Sequence, residues 1–174
     1  MTSEELRKCI RDIPNFPKKG IVFKDISTLL NDKKAFKRSI DLIAAKFKDE
    51  KIEYVVGVES RGFIFGAALA YVLGAGFVPV RKKGKLPYKT KSITYELEYG
   101  KDTLEIHEDA FRPKSRVLVV DDLLATGGTI KAVIDLLKGF ESKIVGVAFL
   151  VELKFLNGKN KLKDFPIHSI IQYD

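Results

Sequence analysis

Short apolar runs alternate with longer apolar or amphipathic segments along most of the chain. The runs read as buried strands, and they are "YVVGV" (54–58), "FVPV" (77–80), "VLVVD" (117–121), "IVGVAFLV" (144–151) and "HSIIQY" (168–173). Two segments between them have helical character, "FIFGAALAYVLG" (63–74) and "TIKAVIDLLKG" (129–139). Continuously apolar strands that alternate with helices indicate a parallel sheet covered on both faces. The pattern therefore predicts an α/β fold with a central parallel sheet flanked by helices.

The N-terminal part carries weaker signals. Thr2 and Glu5 have the spacing of a capping box, which predicts a first helix over "ELRKCIRDI" that ends before Pro14 and Pro17. The segment "GIVFKDIS" (20–27) then reads as irregular or extended. Asp32 is placed to cap a second helix, whose buried stripe repeats at helical spacing. That stripe consists of Phe36, Ile40, Ile43, Ala44 and Phe47.

A different pattern occupies residues 93–106, "ITYELEYGKDTLEI". Apolar and polar residues alternate on both sides of Gly100, which is typical of a half-exposed antiparallel hairpin. Such a hairpin projects from a parallel core, and a projecting loop of this kind suits a lid over a binding site.

Composition narrows the classes of function. The chain has 174 residues, of which 45% are hydrophobic and 31% charged, as expected of one globular domain. No run is long enough to span a membrane, no secretion signal opens the sequence, and the single Cys9 cannot form an internal disulfide. We therefore expect a cytoplasmic protein with no membrane partner. The net charge of +8 favours anionic ligands, and one dense basic stretch, "RKKGKLPYKTK", lies at 81–91.

The strongest chemical signal is the stretch "VLVVDDLLATGGT" (117–129). Two adjacent carboxylates, Asp121 and Asp122, stand at the end of a buried strand, where ligands of parallel sheets bind. The glycine turn that follows opens a helix, whose free N–H groups favour an anion. Ionised carboxylates accept hydrogen bonds from sugar hydroxyls, so a ribose 5-phosphate suits both halves of the loop. The spacings of nucleoside-triphosphate and dinucleotide loops are absent from it.

This stretch resembles the phosphoribosyl pyrophosphate (PRPP) motif of type I phosphoribosyltransferases, in the form found in the adenine phosphoribosyltransferase family. Three further segments resemble the same family in the same order. They are "GIVFKDIS" (20–27, adenine segment), "GVESRGFIFG" (57–66, pyrophosphate loop), and "RKKGKLP" with "ELEYG" (81–100, lid). The resemblance covers nearly the whole chain. It implies the type I phosphoribosyltransferase fold in a single domain, 1–174, with a hood at 1–30 and a lid at 81–106.

The resemblance implies a role in purine salvage, the transfer of the 5-phosphoribosyl group from PRPP to adenine. Mg²⁺ is the expected cofactor, held by PRPP and water with no direct protein ligand, and reached by Asp121 or Asp122 through water. The residues implied to bind ribose and its phosphate are Asp121, Asp122, Ala125, Thr126, Gly127, Gly128 and Thr129. Those implied to bind pyrophosphate are Glu59, Ser60, Arg61, Arg81, Lys82 and Lys85. A strained, cis peptide bond is implied within residues 59–61.

The adenine site implied by the resemblance consists of Val22, Phe23, Lys24 and Leu123. Phe23 would stack on the base, and the backbone of Val22 would read its edge. Lys24 stands where the family has arginine, and lysine lacks the planar fork of that residue.

Glu98 is the implied proton-handling residue, with Tyr99 beside it on the lid. Glu96 and Glu98 both point to the polar face of the predicted hairpin, so their spacing does not choose between them.

Two other functions remain open at this point. One is a phosphoribosyltransferase for hypoxanthine, guanine or xanthine, and the segments at 20–27 and 97–100 argue against it. The other is a non-catalytic PRPP-sensing regulator that binds nucleic acid, which would need a DNA-binding element that the first 50 residues do not offer. We therefore expect small-molecule partners and no nucleic acid. The resemblance also implies a homodimer.

Overall fold

The computed structural model describes residues 1–97 and 100–174. The helices are α1 (Ser3–Arg7), α2 (Ser27–Asn31), α3 (Lys33–Phe47), α4 (Gly62–Leu73) and α5 (Gly128–Leu137). The strands are β1 (Arg11–Pro14), β2 (Val22–Asp25), β3 (Tyr54–Val58), β4 (Gly76–Lys82), β5 (Thr90–Leu97), β6 (Gly100–His107), β7 (Ser115–Leu124), β8 (Ser142–Leu153) and β9 (Ile167–Tyr173). Short 3₁₀ turns follow β8 at Lys154–Leu156 and Gly158–Lys161.

The central sheet has the strand order β5-β6-β4-β3-β7-β8-β9 among the described residues. Strands β4, β3, β7, β8 and β9 run parallel to one another. These five are the strands predicted from the apolar runs, and α4 and α5 are the predicted helices. The prediction of a central parallel sheet flanked by helices is therefore confirmed.

Two apolar clusters fill the two faces of this sheet. On one face, side chains of α1, α3 and α4 pack against alternate strand residues such as Val55. On the other face, α5 and the β6 strand pack against the residues in between, such as Val56. Burial on both faces explains why the strands are apolar throughout.

The hairpin predicted at 93–106 is formed by β5 and β6, which pair from Thr90 with His107 to Leu97 with Gly100. It joins the sheet where β6 pairs antiparallel with Arg81 and Lys82 at the end of β4, and the N–H of Lys83 continues this pairing by donating to the carbonyl oxygen of Thr103 at 3.1 Å. The hairpin therefore extends from the edge of the parallel sheet, as expected.

The N-terminal prediction is half wrong. Thr2 and Glu5 do form a capping box, but α1 ends at Arg7, and residues 11–14 form a strand paired with β2. The physical reason lies outside the segment itself, because its residues pair with β2 residues that come 8 to 14 positions later in the chain. Cross-strand ion pairs join Arg11 to Asp25 and Asp12 to Lys24. These contacts outweigh the helical preference of the local sequence.

The second predicted helix is α3, and Asp32 caps it as expected. Its carboxylate accepts hydrogen bonds from the N–H groups of Lys34 and Ala35 at 2.8 and 3.1 Å. Ile40, Ile43, Ala44 and Phe47 of the predicted stripe are buried in the core, and Phe36 packs against it.

None of the helices in the described part of the chain is both long and apolar enough to cross a lipid bilayer.

Candidate active site

The carboxyl ends of three neighbouring parallel strands form one edge of the sheet. Because the order is β4-β3-β7, the loop after β3 lies between those after β4 and β7. Of the predicted pyrophosphate residues, those at 59–61 follow β3, Arg81 and Lys82 end β4, and Lys85 follows it, while the predicted phosphate loop follows β7. The topology therefore brings together segments that are far apart in sequence.

Asp121 and Asp122 lie within β7, which continues to Leu124 instead of ending at Asp121 as predicted. Asp121 faces the first turn of α4, where a Cβ added to Gly62 would lie 2.8 Å from Asp121 Oδ1. That oxygen also accepts a hydrogen bond from the N–H of Asp122 at 2.9 Å. Glycine at position 62 is thus what allows the carboxylate to sit against the helix.

Asp122 is buried and faces Arg61 from the loop after β3. Arg61 Nε lies 2.8 Å from Asp122 Oδ2, but no N–H of the described residues is aimed at that oxygen, which accepts no hydrogen bond from them. Burial raises the pKa of both carboxyl groups, and the charge of Asp122 raises the pKa of Asp121 further. Arg61 opposes the rise in the pKa of Asp122. The pair therefore has a buried acceptor, Asp122 Oδ2, that is available to a hydrogen-bond donor of a ligand.

The turn after β7 forms the N-terminus of α5. Gly127 has the left-handed φ of 77° and precedes the first helical residue, Gly128. The 3₁₀ turn at 158–161 packs directly on this loop, because a Cβ at Gly158 would overlap the carbonyl oxygen of Ala125. Tyr95 of the hairpin approaches the other side, with its hydroxyl 3.4 Å from Thr129 Oγ1. The loop therefore contacts both segments, and the first N–H groups of α5 have no intrahelical partner.

The Glu59 carboxylate contacts three residues at or just after the end of β4. Its carboxylate accepts hydrogen bonds from Lys85 Nζ at 2.5 Å, the N–H of Lys82 at 3.0 Å and Arg81 Nε at 3.3 Å. Burial raises the pKa of Glu59, but these three donors outweigh that effect and lower it to about 2. The peptide bond between Glu59 and Ser60 is cis, as the resemblance implied.

The hood approaches the same edge of the sheet through β2. The Arg61 guanidinium lies 5.3 Å from the ring centroid of Phe23, and Phe16 packs edge-on to that ring at 5.2 Å. Lys24 is mostly buried and lies 2.7 Å from Asp12 Oδ1. Val22 is exposed towards the cleft. Arg61 thus connects the adenine segment to the acidic pair.

The hood, the α5 turn and the segment that follows β8 line a cleft of about 1110 Å³, with the hairpin contributing Glu96. It is lined by Arg7, Gly20, Ile21, Val22, Lys24, Glu96, Ala125, Thr126, Gly128, Thr129, Leu153, Phe155, Leu156, Lys161, Tyr173 and Asp174. Predicted adenine and phosphate residues therefore line a single cavity. A phosphorylated nucleoside fits a cleft of this size.

Some predicted residues are placed elsewhere. Leu123 packs against the apolar core of one sheet face. Lys82 extends to Asp102 of the hairpin at 3.1 Å, while its backbone contacts Glu59. Glu98 and Tyr99 lie outside the described residues, whereas Glu96 lines the cleft.

Sequence reasoning missed the contribution of the C-terminal segment 153–174. Phe155, Leu156, Lys161 and Tyr173 all line the cleft. The one local signal was Gly158 between an apolar pair and a basic stretch, because a glycine in that setting marks close backbone approach.

Comparison with known proteins agrees with this geometry. A protein-family model defines the general class of the chain. Residues 25–172 match the family model described as the phosphoribosyl transferase domain. That range contains the acidic pair, the glycine turn and the cations of the β3 and β4 ends.

Individual relatives narrow the class. An adenine phosphoribosyltransferase of Syntrophotalea carbinolica is 61% identical over 170 residues, 98% of this chain and 99% of the relative. The crystal structure of adenine phosphoribosyltransferase from Thermoanaerobacter pseudethanolicus superposes with a TM-score of 0.95 at 53% identity, covering 99% and 100% of the two chains. That from Saccharomyces cerevisiae, complexed with an imino-altritol bisphosphate and adenine, gives 0.91 at 42% identity over 97% and 98%. The chain belongs to the adenine phosphoribosyltransferase family, and the prediction of this family from the sequence is confirmed.

Proposed function

We propose that the chain transfers the 5-phosphoribosyl group of PRPP to adenine in a purine salvage reaction, giving AMP and pyrophosphate, with the cleft as the active site. In this reaction a bond forms between adenine N9 and the anomeric carbon, the bond to the pyrophosphate oxygen breaks, and the N9 proton leaves. The observation that carries the proposal is the buried acidic pair directly ahead of a glycine turn. That turn lies in one cavity with the adenine segment of the hood.

The 5-phosphate of PRPP binds the turn formed by Ala125, Thr126, Gly127, Gly128 and Thr129. The first N–H groups of α5 point out of the helix and favour an anion. Thr126 and Thr129 add hydroxyl donors from the cleft wall. Because the loop itself carries no cation, backbone donors and the helix dipole supply most of the attraction.

Asp121 and Asp122 bind the ribose hydroxyl groups, directly or through metal-bound water. The buried Oδ2 of Asp122 accepts no hydrogen bond from the described residues, so it suits a hydroxyl or water donor. Such a donor set also suits Mg²⁺ that is held mainly by substrate oxygens, since hard cations prefer oxygen and keep several waters. Bound Mg²⁺ would neutralise charge on the departing pyrophosphate.

The pyrophosphate group binds cations from two loops. Arg61 extends from the β3 end with Glu59 and Ser60, and Arg81, Lys82 and Lys85 come from the β4 end, where Arg81 and Lys85 pair with Glu59. In the free protein Arg61 is paired with Asp122, and Arg81 and Lys85 are paired with Glu59. When substrate binds, these cations therefore exchange their carboxylate partners for phosphate oxygens. The net gain in charge pairing is small for that reason. In the free protein the internal pairs hold the cations near the positions that the pyrophosphate needs.

Adenine binds between the hood and the cleft wall. The backbone of Val22 reads the base edge, the ring of Phe23 stacks on the base, and Lys24 and Leu123 complete the proposed adenine residues. Stacking uses the apolar face of the purine, while the backbone groups distinguish its exocyclic amine from the oxygen of hypoxanthine.

Glu98 exchanges the proton of the purine, with Tyr99 beside it on the lid. A carboxyl group in a closed, water-poor site has a raised pKa and is suited to this transfer. Glu96 lines the cleft and is the alternative candidate.

The same proposal includes a cytoplasmic homodimer. The α4 helix presents apolar side chains to solvent, with Ile64, Tyr71 and Val72 being 39%, 89% and 51% exposed. An apolar patch on a helix next to the active loop favours burial against a second copy.

The test of function is a base panel. The purified protein is incubated with PRPP and Mg²⁺ and with adenine, hypoxanthine, guanine or xanthine, and the nucleotide formed is measured. Adenine should yield AMP, and omission of Mg²⁺ with added chelator should abolish it. Turnover of another base without AMP formation from adenine would contradict the proposal.

A further inference from the structure

The ring of Tyr173 lies at the junction between the hood and the central sheet. Tyr173 is the last residue of β9 and is only 7% exposed. The guanidinium carbon of Arg7, the last residue of α1, lies 4.4 Å from its ring centroid. The ammonium of Lys24, in β2, lies 4.1 Å from the same centroid. Both distances are within the range in which a cation is attracted to an aromatic ring.

Lys24 is fixed by more than the ring. Its ammonium lies 2.7 Å from Asp12 Oδ1 across the β1–β2 pair, and its side chain is 11% exposed. An ammonium group acts as a compact point charge without the fork of a guanidinium. Lys24 therefore makes its described contacts with a carboxylate and a ring face, and both contacts tie β2 to neighbouring elements.

The position of these residues links the ring to the adenine site. Lys24 and Tyr173 line the main cleft, and with Arg7 and Asp12 they also line a shallow cavity of about 260 Å³ beside it. Val22 and Lys24 are two residues apart on one strand, so their side chains lie on the same face. A shift of Lys24 would therefore shift the backbone at Val22.

We propose that Tyr173 is a positioning residue for adenine binding. Together with Arg7 and Lys24 it forms what we name the hood clasp, which sets the height of β2 above the cleft and places the Val22 backbone against the base edge. Tyr173 acts through Lys24 and Val22 and does not contact the reacting atoms. This inference rests on the proposed adenine site in the hood.

A positioning role and a general structural role differ in their kinetics. The hood clasp adjoins the hood end of the cleft, whereas the proposed PRPP residues belong to the sheet edge and the α5 turn. Loosening the clasp should therefore weaken adenine binding and leave PRPP binding in place. A general loss of packing at β9 would affect both substrates or the fold itself.

The experiment measures KM for adenine, KM for PRPP and kcat in Tyr173→Leu, Tyr173→Phe and Arg7→Met. Tyr173→Leu removes the ring and should raise KM for adenine about tenfold, the size expected of a desolvated cation–ring contact. Tyr173→Phe keeps the ring and should restore KM for adenine to within about threefold of the unaltered protein. KM for PRPP should change by less than about twofold in all three variants.

Phe140→Leu is the matched control. Phe140 lies under the ammonium of Lys91 at 4.3 Å from its ring centroid, and it packs on the sheet face opposite to that of Tyr173, so the control loses a cation–ring contact away from the hood clasp. KM for adenine should stay unchanged in it.

Two results would overturn the inference: an unchanged KM for adenine in both Tyr173→Leu and Arg7→Met, or an equal rise of both KM values. If Tyr173→Leu does not fold, Arg7→Met tests the inference instead, because Arg7 is only half-buried. Arg7→Met should raise KM for adenine about threefold. Failure of the unaltered protein to form AMP would instead refute the proposed function.

Discussion

Arg61 Nε lies 2.8 Å from Asp122 Oδ2, and the same guanidinium lies 5.3 Å from the ring of Phe23. One side chain therefore connects the loop after β3, the end of β7 and the hood. Because Arg61 is also a proposed pyrophosphate ligand, binding of PRPP must rearrange this contact. The free protein thus holds this cation against its own acidic pair.

Removal of either carboxylate of the Asp121–Asp122 pair should lower the activity without lowering the free energy of unfolding. Asp122→Asn and Asp121→Asn should lower kcat/KM for PRPP by about 10- to 100-fold, since a hydrogen bond to a charged group contributes about 1.5–3 kcal/mol. Stability should hold or rise, because burial raises both pKa values and therefore opposes the charges in the folded state. Steady-state kinetics and urea unfolding at neutral pH measure the two effects.

Asp135→Asn is the control for the acidic pair, since Asp135 lies on α5 and pairs with Lys131 and Lys138 outside the turn. It should leave KM for PRPP unchanged. An unchanged kcat/KM for PRPP in Asp122→Asn would remove Asp122 from the ribose site.

Glu59 should stabilise the fold in a pH-dependent way. Its folded-state pKa is lowered to about 2 from a usual value of 4.5, so the ionised form is favoured by folding. The stability that it contributes is fully present above pH 4.5 and is lost as the pH falls towards 2. Glu59→Gln should lower the free energy of unfolding by about 1–3 kcal/mol at neutral pH, because Arg81 and Lys85 lose their counterion.

Urea unfolding of Glu59→Gln and the unaltered protein at pH 7, 5, 4 and 3 checks this prediction. The difference between the two proteins should be constant at the two higher pH values and smaller at pH 3. A difference that grows on acidification would show that the sign is wrong.

Gly158→Ala should damage the phosphate loop from a distance in sequence. The added Cβ would overlap the carbonyl oxygen of Ala125, so the loop or the 3₁₀ turn must move. We expect KM for PRPP to rise and the free energy of unfolding to fall by about 1–3 kcal/mol, as for other overpacked sites. Gly139→Ala is the control, because its Cβ would meet the nearest atom at 3.4 Å. Equal effects of the two substitutions would contradict the close contact.

Glu98→Ala and Glu96→Ala test the proton-handling residue. General acid–base catalysis contributes about 10²- to 10⁴-fold, so Glu98→Ala should lower kcat within that range without abolishing turnover. Glu96→Ala should have a smaller effect, because the proposal assigns the proton transfer to Glu98 and gives Glu96 a place in the cleft wall. Single-turnover measurements separate the chemical step from product release, and equal losses would withdraw the assignment to Glu98.

The parallel core was predictable because its signals are local. Val117 to Val120 are all fully buried, and a short run that is apolar on both faces is typical of a central strand in an α/β chain. The two acids at positions 121 and 122 pointed to the site for a different reason. Adjacent carboxylates at the end of a buried strand oppose folding, so folding alone does not explain their presence. A residue pattern that burial alone would not select indicates a ligand.

The rest depended on tertiary contacts that spacing does not reveal. Residues 11–14 form a strand because β2 pairs with them, although the local sequence favours a helix. Tyr173 lines the cleft from the end of β9, Gly158 reaches the phosphate loop through a 3₁₀ turn, and neither carries a motif. Lys85 and Glu59 form an ion pair. The sequence assigned both residues to the pyrophosphate site but did not predict that they contact each other.

A crystal structure of the protein with PRPP and Mg²⁺ tests the central claim most directly. We expect the 5-phosphate within hydrogen-bond distance of the N–H groups between Ala125 and Thr129, and the ribose hydroxyls against Asp121 and Asp122, directly or through one water. A sugar bound elsewhere in the cleft, with the turn after β7 empty, would contradict the account.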